Sequence, residues 1–180
     1  MSSSIATAPS GARRWLILDR DGVINHDSAA YIRCPDDWQP IDGALAALAR
    51  LHRAGFGLAV ATNQSGVGRG YFNIATLDAI HAKMRAAIEA AGGQLTAIAY
   101  CPHRPDAGGD CRKPAPGLLL RLMAEYGLAA GDALMIGDAG RDLEAARGAG
   151  MSALVVGERA AELARAFGVP GFADIAAAAD

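Results

Sequence analysis

The chain has 180 residues, of which 52% are hydrophobic and 20% are charged, and its formal net charge is −2. This length suits one domain with a sizeable core, and the apolar content excludes intrinsic disorder over most of the chain. The small net charge and the lack of a long basic run argue against broad electrostatic binding of nucleic acid. A compact pocket of arginine and lysine could still bind a small anion.

The first 14 residues are polar, and we expect them to form a disordered tail before a single domain over residues 15–180. An Arg-Arg-Trp sequence at 13–15 resembles the start of a twin-arginine signal, but Asp19 cuts the following apolar run short. A signal peptide needs a longer apolar core, and a membrane helix needs about 20 apolar residues. Three cysteines also favour a reducing compartment over a disulfide framework. We therefore predict a cytoplasmic protein without a membrane partner.

Short apolar runs alternate along the chain with longer segments of helical period. The predicted strands are 15–18, 58–62, 95–100, 133–137 and 152–156, and the predicted helices are 44–55, 73–92, 117–127 and 141–150. Asn73 is a candidate N-cap, and glycines at 55, 92, 127 and 150 are candidate helix ends. Strands that are apolar throughout are covered on both faces. The alternation predicts an α/β fold with a Rossmann-like parallel sheet and helices on both faces.

Ligands bind such sheets beyond the carboxyl ends of the strands, and the first strand is followed there by DRDGVIN. Asp19 and Asp21 are two residues apart, so both side chains can face one site. Two close carboxylates repel each other unless a cation lies between them, which suits a magnesium site. A solvated turn is the alternative, because Asp and Gly are common turn residues.

Polar or charged residues also follow three of the other predicted strands. Thr62, Asn63 and Ser65 lie in the glycine-rich ATNQSGVGRG, a type of loop that can cradle phosphate. Arg112 and Lys113 offer a fork and a point charge for a phosphate group. The fourth strand ends in IGDAGRDLEAA, with Asp138 directly after it and Asp142 one turn later; favourable charge at a helix start is the alternative there. Together these groups indicate one shared site.

These motifs resemble those of the haloacid dehalogenase superfamily of phosphatases. LILDRDG resembles its first motif, VATN the second, Lys113 the third and MIGDAGRD the fourth. Within the superfamily, DRDGVIN, TNQSGVGRGYF, YCPH and CRKPAPG resemble the D-glycero-D-manno-heptose 1,7-bisphosphate 7-phosphatases, over about residues 15–156. Histidinol-phosphate phosphatases share the pattern and are the alternative, although SGVGRGYF favours the heptose enzymes.

The resemblance implies hydrolysis of a small sugar phosphate through an aspartyl-phosphate, on the route to the heptose of surface lipopolysaccharide. It implies that Asp19 is the nucleophile and Asp21 the general acid and base. Thr62 and Lys113 are then the residues that hold the phosphoryl group. The implied substrate-binding residues are Asp27, Asn63, Gln64, Ser65 and Arg112. The implied Mg²⁺ ligands are Asp19, the backbone carbonyl of Asp21, and Asp138.

The chain departs from the relatives in two respects. They often carry lysine directly after the aspartate of the fourth motif, where this chain has Ala139, so we expect one phosphate contact fewer. No long insertion could form a cap domain, so we expect a capless fold whose loops provide selectivity. A non-catalytic sugar-phosphate-binding protein is the alternative from another class, and the retained aspartates weigh against it.

CPHRPDAGGDCRKP, at residues 101–114, is the least complete motif. Cys101, His103 and Cys111 are of zinc-ligand type, but the resemblance implies Cys-x-Cys before the Arg-Lys pair and Gly109 replaces its first cysteine. Structural zinc is nearly always four-coordinate, so water or a loop aspartate would have to complete the site. The alternative is a packed loop without metal. In either case we expect the loop to be structural and to position Arg112 and Lys113.

Two further expectations concern the surface. No apolar stripe demands a protein partner, so we predict a monomer. His52 and His81 lie on predicted helices, and we expect both to be partly exposed.

Overall fold

The structure is a computed structural model that describes residues 14–180. The predicted tail over 1–14 therefore lies, apart from Arg14, outside the described residues. The sheet has six strands, all parallel, in the order β3-β2-β1-β4-β5-β6. They are β1 (Trp15–Leu18), β2 (Gly57–Asn63), β3 (Ala97–Cys101), β4 (Ala133–Gly137), β5 (Ser152–Val156) and β6 (Gly171–Phe172). The five predicted strands are confirmed, and β6 was not predicted.

Helices cover both faces of this sheet, as predicted. They are α1 (Ala44–Arg53), α2 (Ser65–Gly68), α3 (Ile74–Ala90), α4 (Gly117–Tyr126), α5 (Gly140–Gly148), α6 (Ala160–Phe167) and α7 (Ile175–Ala179), with 3-10 turns at Pro35–Asp37 and Ala130–Asp132. Strand β1 shows the layering: Leu16 and Leu18 pack into a core with residues of α1, α3 and α7, while Trp15 and Ile17 pack with α4 and α5. The alternation follows from the two-residue period of a strand.

The helix ends follow the predicted signals. Asn73 caps α3, where its Oδ1 accepts a hydrogen bond of 2.9 Å from the backbone N–H of Thr76. Gly127 ends α4 in the left-handed conformation, with φ 64°. The expected partial exposure of His81 was wrong, because this residue is 6% exposed and packs against Tyr100 of β3. Burial is the main reason that its pKa falls to about 3.

Ligands of such sheets bind in a crevice beyond the carboxyl ends of the strands. The sheet order places the ends of β1 and β4 at the centre of this crevice. These strands are neighbours although they are far apart in sequence, so the helices that follow them diverge to opposite faces there. Within residues 14–180 the connections are loops, and no inserted domain covers the crevice. The described helices also include none that is both long enough and apolar enough to cross a bilayer.

Candidate active site

Asp19 lies at the end of β1, where it is 2% exposed. Its Oδ1 accepts a hydrogen bond of 2.7 Å from the backbone N–H of Arg20 and lies 3.1 Å from Lys113 Nζ. No hydrogen bond joins its Oδ2 to the described residues, and Arg141 Nη2 lies 3.9 Å from this oxygen. One oxygen of Asp19 is therefore held in place, and the other is free to meet a ligand.

Lys113 is buried directly behind Asp19. Its Nζ donates to the carbonyl of Ala61 at 2.7 Å and lies 2.7 Å from Asp142 Oδ1, besides its contact with Asp19. Burial works against its charge, but Asp142 and Asp19 outweigh that effect and raise the pKa of Lys113. All three ammonium hydrogens thus have partners in the protein.

Asn63 fixes the backbone of Lys113 to the end of β2. Its Nδ2 donates to the carbonyl of Lys113 at 2.9 Å, and its Oδ1 accepts from the backbone N–H of Lys113 at 3.1 Å. Both ends of the Asn63 amide are therefore occupied by this contact. It holds the lysine in register with the nucleophile.

Asp21 is held by four hydrogen bonds from three side chains. Arg20 donates through Nε and Nη2 at 3.0 and 3.1 Å, and Asn25 and Gln64 each donate at 2.9 Å. The guanidinium of Arg20 is buried and also donates to Gln64 Oε1. Trp38 in turn donates to Asn25 at 3.0 Å. The direction of the Asp21 carboxylate is thus set by a buried network rather than by solvent.

Asp138 and Asp142 complete the carboxylate cluster. The buried Asp142 Oδ2 accepts from the backbone N–H groups of Asp138 and Ala139, at 3.2 and 3.1 Å, and so caps the start of α5. Burial first, and then Asp19 and Asp142, raise the pKa of Asp138 to about 7. Gly22 has φ 80°, and a Cβ there would overlap the Asp138 carboxylate. Only glycine allows these two loops to come so close.

The side chains meet in a cavity of about 250 Å³ above the strand ends. It collects most of the predicted site residues, namely Asp19, Asp21, Asp27, Asn63, Gln64, Ser65 and Arg112, together with Tyr31 and Arg141. Thr62 lies behind it and accepts a hydrogen bond from Gln64. Asp138 lines an adjoining cavity of about 480 Å³, which shares Asp27 with the first. The predicted residues are therefore brought together, whereas their individual roles remain predictions.

The oxygen atoms around Asp19 fit a hard divalent cation. Carboxylate oxygens of Asp19, Asp138 and Asp142 lie within 4.8 Å of one another. Asp138 Oδ1 is buried and has no hydrogen-bond partner among residues 14–180, whereas both oxygens of Asp142 are engaged by Lys113 and the start of α5. Mg²⁺ favours oxygen ligands and binds through one or two carboxylates. Asp19 and Asp138 are the pair available for it.

Comparison with known proteins identifies the family. The haloacid dehalogenase-like hydrolase profile matches residues 7–150, which include Asp19, Lys113 and Asp138. The chain belongs to this family. Its α/β fold is therefore that of a haloacid dehalogenase-like hydrolase, as the motifs predicted.

Relatives within the family share one name. The chain is 49% identical over 153 residues to the D-glycero-β-D-manno-heptose-1,7-bisphosphate 7-phosphatase of Pseudomonas putida, covering 83% of this chain and 87% of that protein. It is 46% identical to the enzyme of the same name from Bordetella bronchiseptica, covering 79% and 80%. The crystal structure of D,D-heptose 1,7-bisphosphate phosphatase from B. bronchiseptica, in complex with magnesium and phosphate, superposes with a TM-score of 0.87 at 42% identity, covering 92% of this chain and 96% of that one.

The loop from β3 to Lys113 brings Cys101, His103 and Cys111 together. The two sulfur atoms are in disulfide contact with Cα atoms 5.6 Å apart, and His103 Nδ1 lies 3.6 and 3.2 Å from the sulfurs of Cys101 and Cys111. A Cβ at Gly109 would lie 3.9 Å from His103 Nδ1, so the position of the absent cysteine faces this cluster. Arg112 follows directly and donates to the carbonyl of His103 at 3.2 Å.

Three residues of this hydrolase site were not among the predicted site residues. Asp142 was grouped with the shared site, with helix-terminal charge as the alternative, but was given no role; its Oδ1 lies 2.7 Å from Lys113 Nζ. Arg20 stands between two predicted catalytic aspartates, and that position was the available signal. Arg141 follows Asp138 by three residues at a helix start, and its Nη2 lies 3.8 Å from Asp138 Oδ1.

Proposed function

We propose that this protein is a magnesium-dependent phosphatase that removes the 7-phosphate of D-glycero-D-manno-heptose 1,7-bisphosphate. The observation that carries the proposal is the geometry of Asp19, with one oxygen fixed by Lys113 and the other open to the cavity. The names of relatives up to 49% identical support the choice of substrate. The proposal includes a single catalytic domain over residues 15–180, a cytoplasmic location and a role in supplying heptose for lipopolysaccharide.

Asp19 would begin the reaction as the nucleophile. Because Oδ1 accepts two hydrogen bonds and Oδ2 accepts none from the described residues, Oδ2 is the oxygen placed to attack phosphorus. A bond forms between Oδ2 and phosphorus while the bond from phosphorus to the sugar oxygen breaks, giving an aspartyl-phosphate. Water then attacks this phosphorus and releases inorganic phosphate and free Asp19.

Asp21 would move the proton in both half-reactions. It would protonate the departing sugar oxygen in the first and take a proton from the attacking water in the second. Its four donors fix its direction, so the leaving oxygen must replace one of them during the transfer. Gln64 is the simplest to exchange, because it lines the cavity and is uncharged.

The remaining groups would bind and orient the substrate. Asp19, Asp138 and the backbone carbonyl of Asp21 would hold Mg²⁺, which supplies charge neutralisation between the carboxylates and the phosphoryl group. The Thr62 hydroxyl accepts from Gln64 and keeps its own hydrogen for a phosphoryl oxygen. Arg112 and Asp27 at the cavity wall would contact the sugar or its second phosphate.

The first test is phosphate release from heptose 1,7-bisphosphate, with histidinol phosphate assayed alongside. We expect Mg²⁺-dependent release of the 7-phosphate, located by ³¹P NMR, with kcat/KM at least about 100-fold above that for histidinol phosphate, because selective polar contacts can discriminate to this extent. Asp19→Asn should abolish turnover, while Asp78→Asn on the exposed side of α3 should not. Normal turnover by Asp19→Asn would contradict the mechanism, and saturable binding without turnover by the wild type would favour a non-catalytic binding protein.

We also propose that the loop with Cys101, His103 and Cys111 binds one structural zinc ion more weakly than a four-ligand site. The close approach of one histidine and two cysteine side chains supports this. Reduced protein should contain about one zinc per chain by elemental analysis, and Gly109→Cys should tighten its retention against a chelator. Metal-free reduced protein, with Cys101 and Cys111 paired under air, would instead indicate a loop closed by a disulfide.

A further inference from the structure

Arg141 is the second residue of α5, and its guanidinium lines the same cavity as Asp19. Its Nη2 lies 3.9 Å from Asp19 Oδ2 and 3.8 Å from Asp138 Oδ1. These are charge contacts, too long for hydrogen bonds, and within residues 14–180 the guanidinium donates no hydrogen bond. Its five N–H donors are therefore available to a ligand beside the nucleophile.

The other cations near Asp19 are more fully engaged. The ammonium of Lys113 has three partners within the protein, and Arg20 donates to Asp21 and Gln64. Arg112 gives one donor to the carbonyl of His103. Arg141, whose Nη2 lies 3.9 Å from Asp19 Oδ2, can thus bind an anion at that oxygen without breaking an existing hydrogen bond.

The excess of negative charge around Asp19 means that a phosphoryl group needs such a contact in order to bind. The carboxylates of Asp19, Asp138 and Asp142 lie close together, and Lys113 pairs with two of them, Asp19 and Asp142. A phosphoryl dianion that approaches this cluster is repelled unless further positive charge lies next to it. A guanidinium provides that charge, and its planar fork matches two oxygens of one phosphate group.

We propose that Arg141 binds the phosphoryl group that Asp19 attacks. It would thereby supply, from the first turn of α5, the contact that the uncharged Ala139 cannot make. The identity of the ester rests on the proposed function, but the binding of phosphate by Arg141 does not.

The test is the dissociation constant of inorganic phosphate, measured by isothermal titration calorimetry at a fixed saturating Mg²⁺ concentration. Arg141→Gln should weaken phosphate binding by about 10- to 100-fold, since a hydrogen bond between charged groups contributes that factor. Arg141→Lys keeps the positive charge but loses the planar guanidinium. Its phosphate affinity should lie between those of the wild type and Arg141→Gln. Arg147→Gln removes the same charge from the exposed far end of α5 and should bind phosphate as the wild type does.

A second measurement separates this role from simple neutralisation of the carboxylates. If Arg141 served only as a counter-ion for Asp19 and Asp138, Arg141→Gln would tighten Mg²⁺ binding and leave phosphate affinity unchanged. That result, or no measurable phosphate binding by the wild type, overturns the proposal. Wild-type thermal midpoints for all three variants would confirm that they fold. Because no turnover is required, the outcome is independent of which phosphate ester the enzyme hydrolyses.

Discussion

The two sides of the nucleophile differ in how their charges are paired. On the inner side, Lys113 is buried between Asp19 and Asp142, and each of its hydrogens has a partner. On the outer side, Asp138 and Arg141 face each other across 3.8 Å without a hydrogen bond. The inner charges are matched by the protein itself, whereas the outer ones are arranged for something that binds. The inner side therefore governs stability and preorganisation, and the outer side governs ligand binding.

Replacing Lys113 should disrupt the ion pairs on the inner side and cause the largest loss of stability. Lys113→Met leaves Asp19 and Asp142 buried without a counter-charge, which should lower the free energy of unfolding by about 3–5 kcal/mol. Urea denaturation of the metal-free protein at pH 7.5 measures this. Activity should also be lost, because the nucleophile is no longer held.

A matched variant and a double variant sharpen that result. Lys83→Met loses a hydrogen bond to the carbonyl of Pro35 outside the site and should cost less than about 1.5 kcal/mol. Adding Asp142→Asn to Lys113→Met removes one of the stranded charges and should restore part of the stability. If Lys113→Met and Lys83→Met lower the free energy of unfolding equally, the ion pairs of Lys113 with Asp19 and Asp142 do not stabilise this region.

Replacing Arg20 should weaken the orientation of Asp21, with an intermediate effect. Arg20→Met removes two of the four hydrogen bonds to Asp21, so kcat should fall about 10- to 100-fold while KM changes less than about threefold. Arg20→Lys should recover part of kcat because one donor returns. Steady-state kinetics with Arg50→Met, an exposed arginine paired with Asp180, provide the control. An equal loss in kcat for both would assign Arg20 a purely structural role.

Changing Asp138 should affect the outer side and have the smallest effect on folding. Its pKa rises from an ordinary 3.8 to about 7 in the folded protein, so the folded state keeps a proton that the unfolded chain releases between about pH 4 and 7. Asp138 therefore lowers stability as pH rises through that range. Metal-free Asp138→Asn should match the wild type near pH 4 and exceed it by about 1–3 kcal/mol at pH 8.

Magnesium provides the internal check on that prediction. Mg²⁺ should raise the thermal midpoint of the wild type at pH 8 and raise that of Asp138→Asn much less, because a ligand stabilises only the state that binds it. Asp78→Asn should respond as the wild type does. A stability difference that does not vary with pH would show that the Asp138 carboxyl is not held protonated in the folded state.

Sequence reasoning was most successful where a pattern is local. Strands β1, β4 and β5 begin and end where the apolar runs do, and the Asn73 cap was read from one residue type at one position. Strand β6, with two residues, is too short to show any period. The burial of His81 depends on the packing of α3 against β3, which no window along the chain reveals.

In the candidate site, too, sequence reveals the residues that local patterns place there but not the contacts that depend on the assembled fold. Carboxylates at strand ends are visible in the sequence because the fold class puts strand ends together. Which carboxylate pairs with Lys113 depends on three loops meeting in space, so Asp142 was placed near the site but given no role in it. Asn63 was predicted to bind substrate, and its contact with the Lys113 backbone likewise depends on the loops being assembled.

Because Lys113 is buried, chemical labelling of its amine can report the opening of the loops around it. The chain contains two lysines, Lys83 and Lys113, and Lys113 is 1% exposed. An amine-reactive reagent should therefore label Lys83 readily and reach Lys113 only when the loops around it separate. The rate at which Lys113 becomes labelled, read by peptide mass spectrometry, would time the opening of the crevice without any engineered probe. Bound phosphate and Mg²⁺ should lower the rate at which Lys113 is labelled.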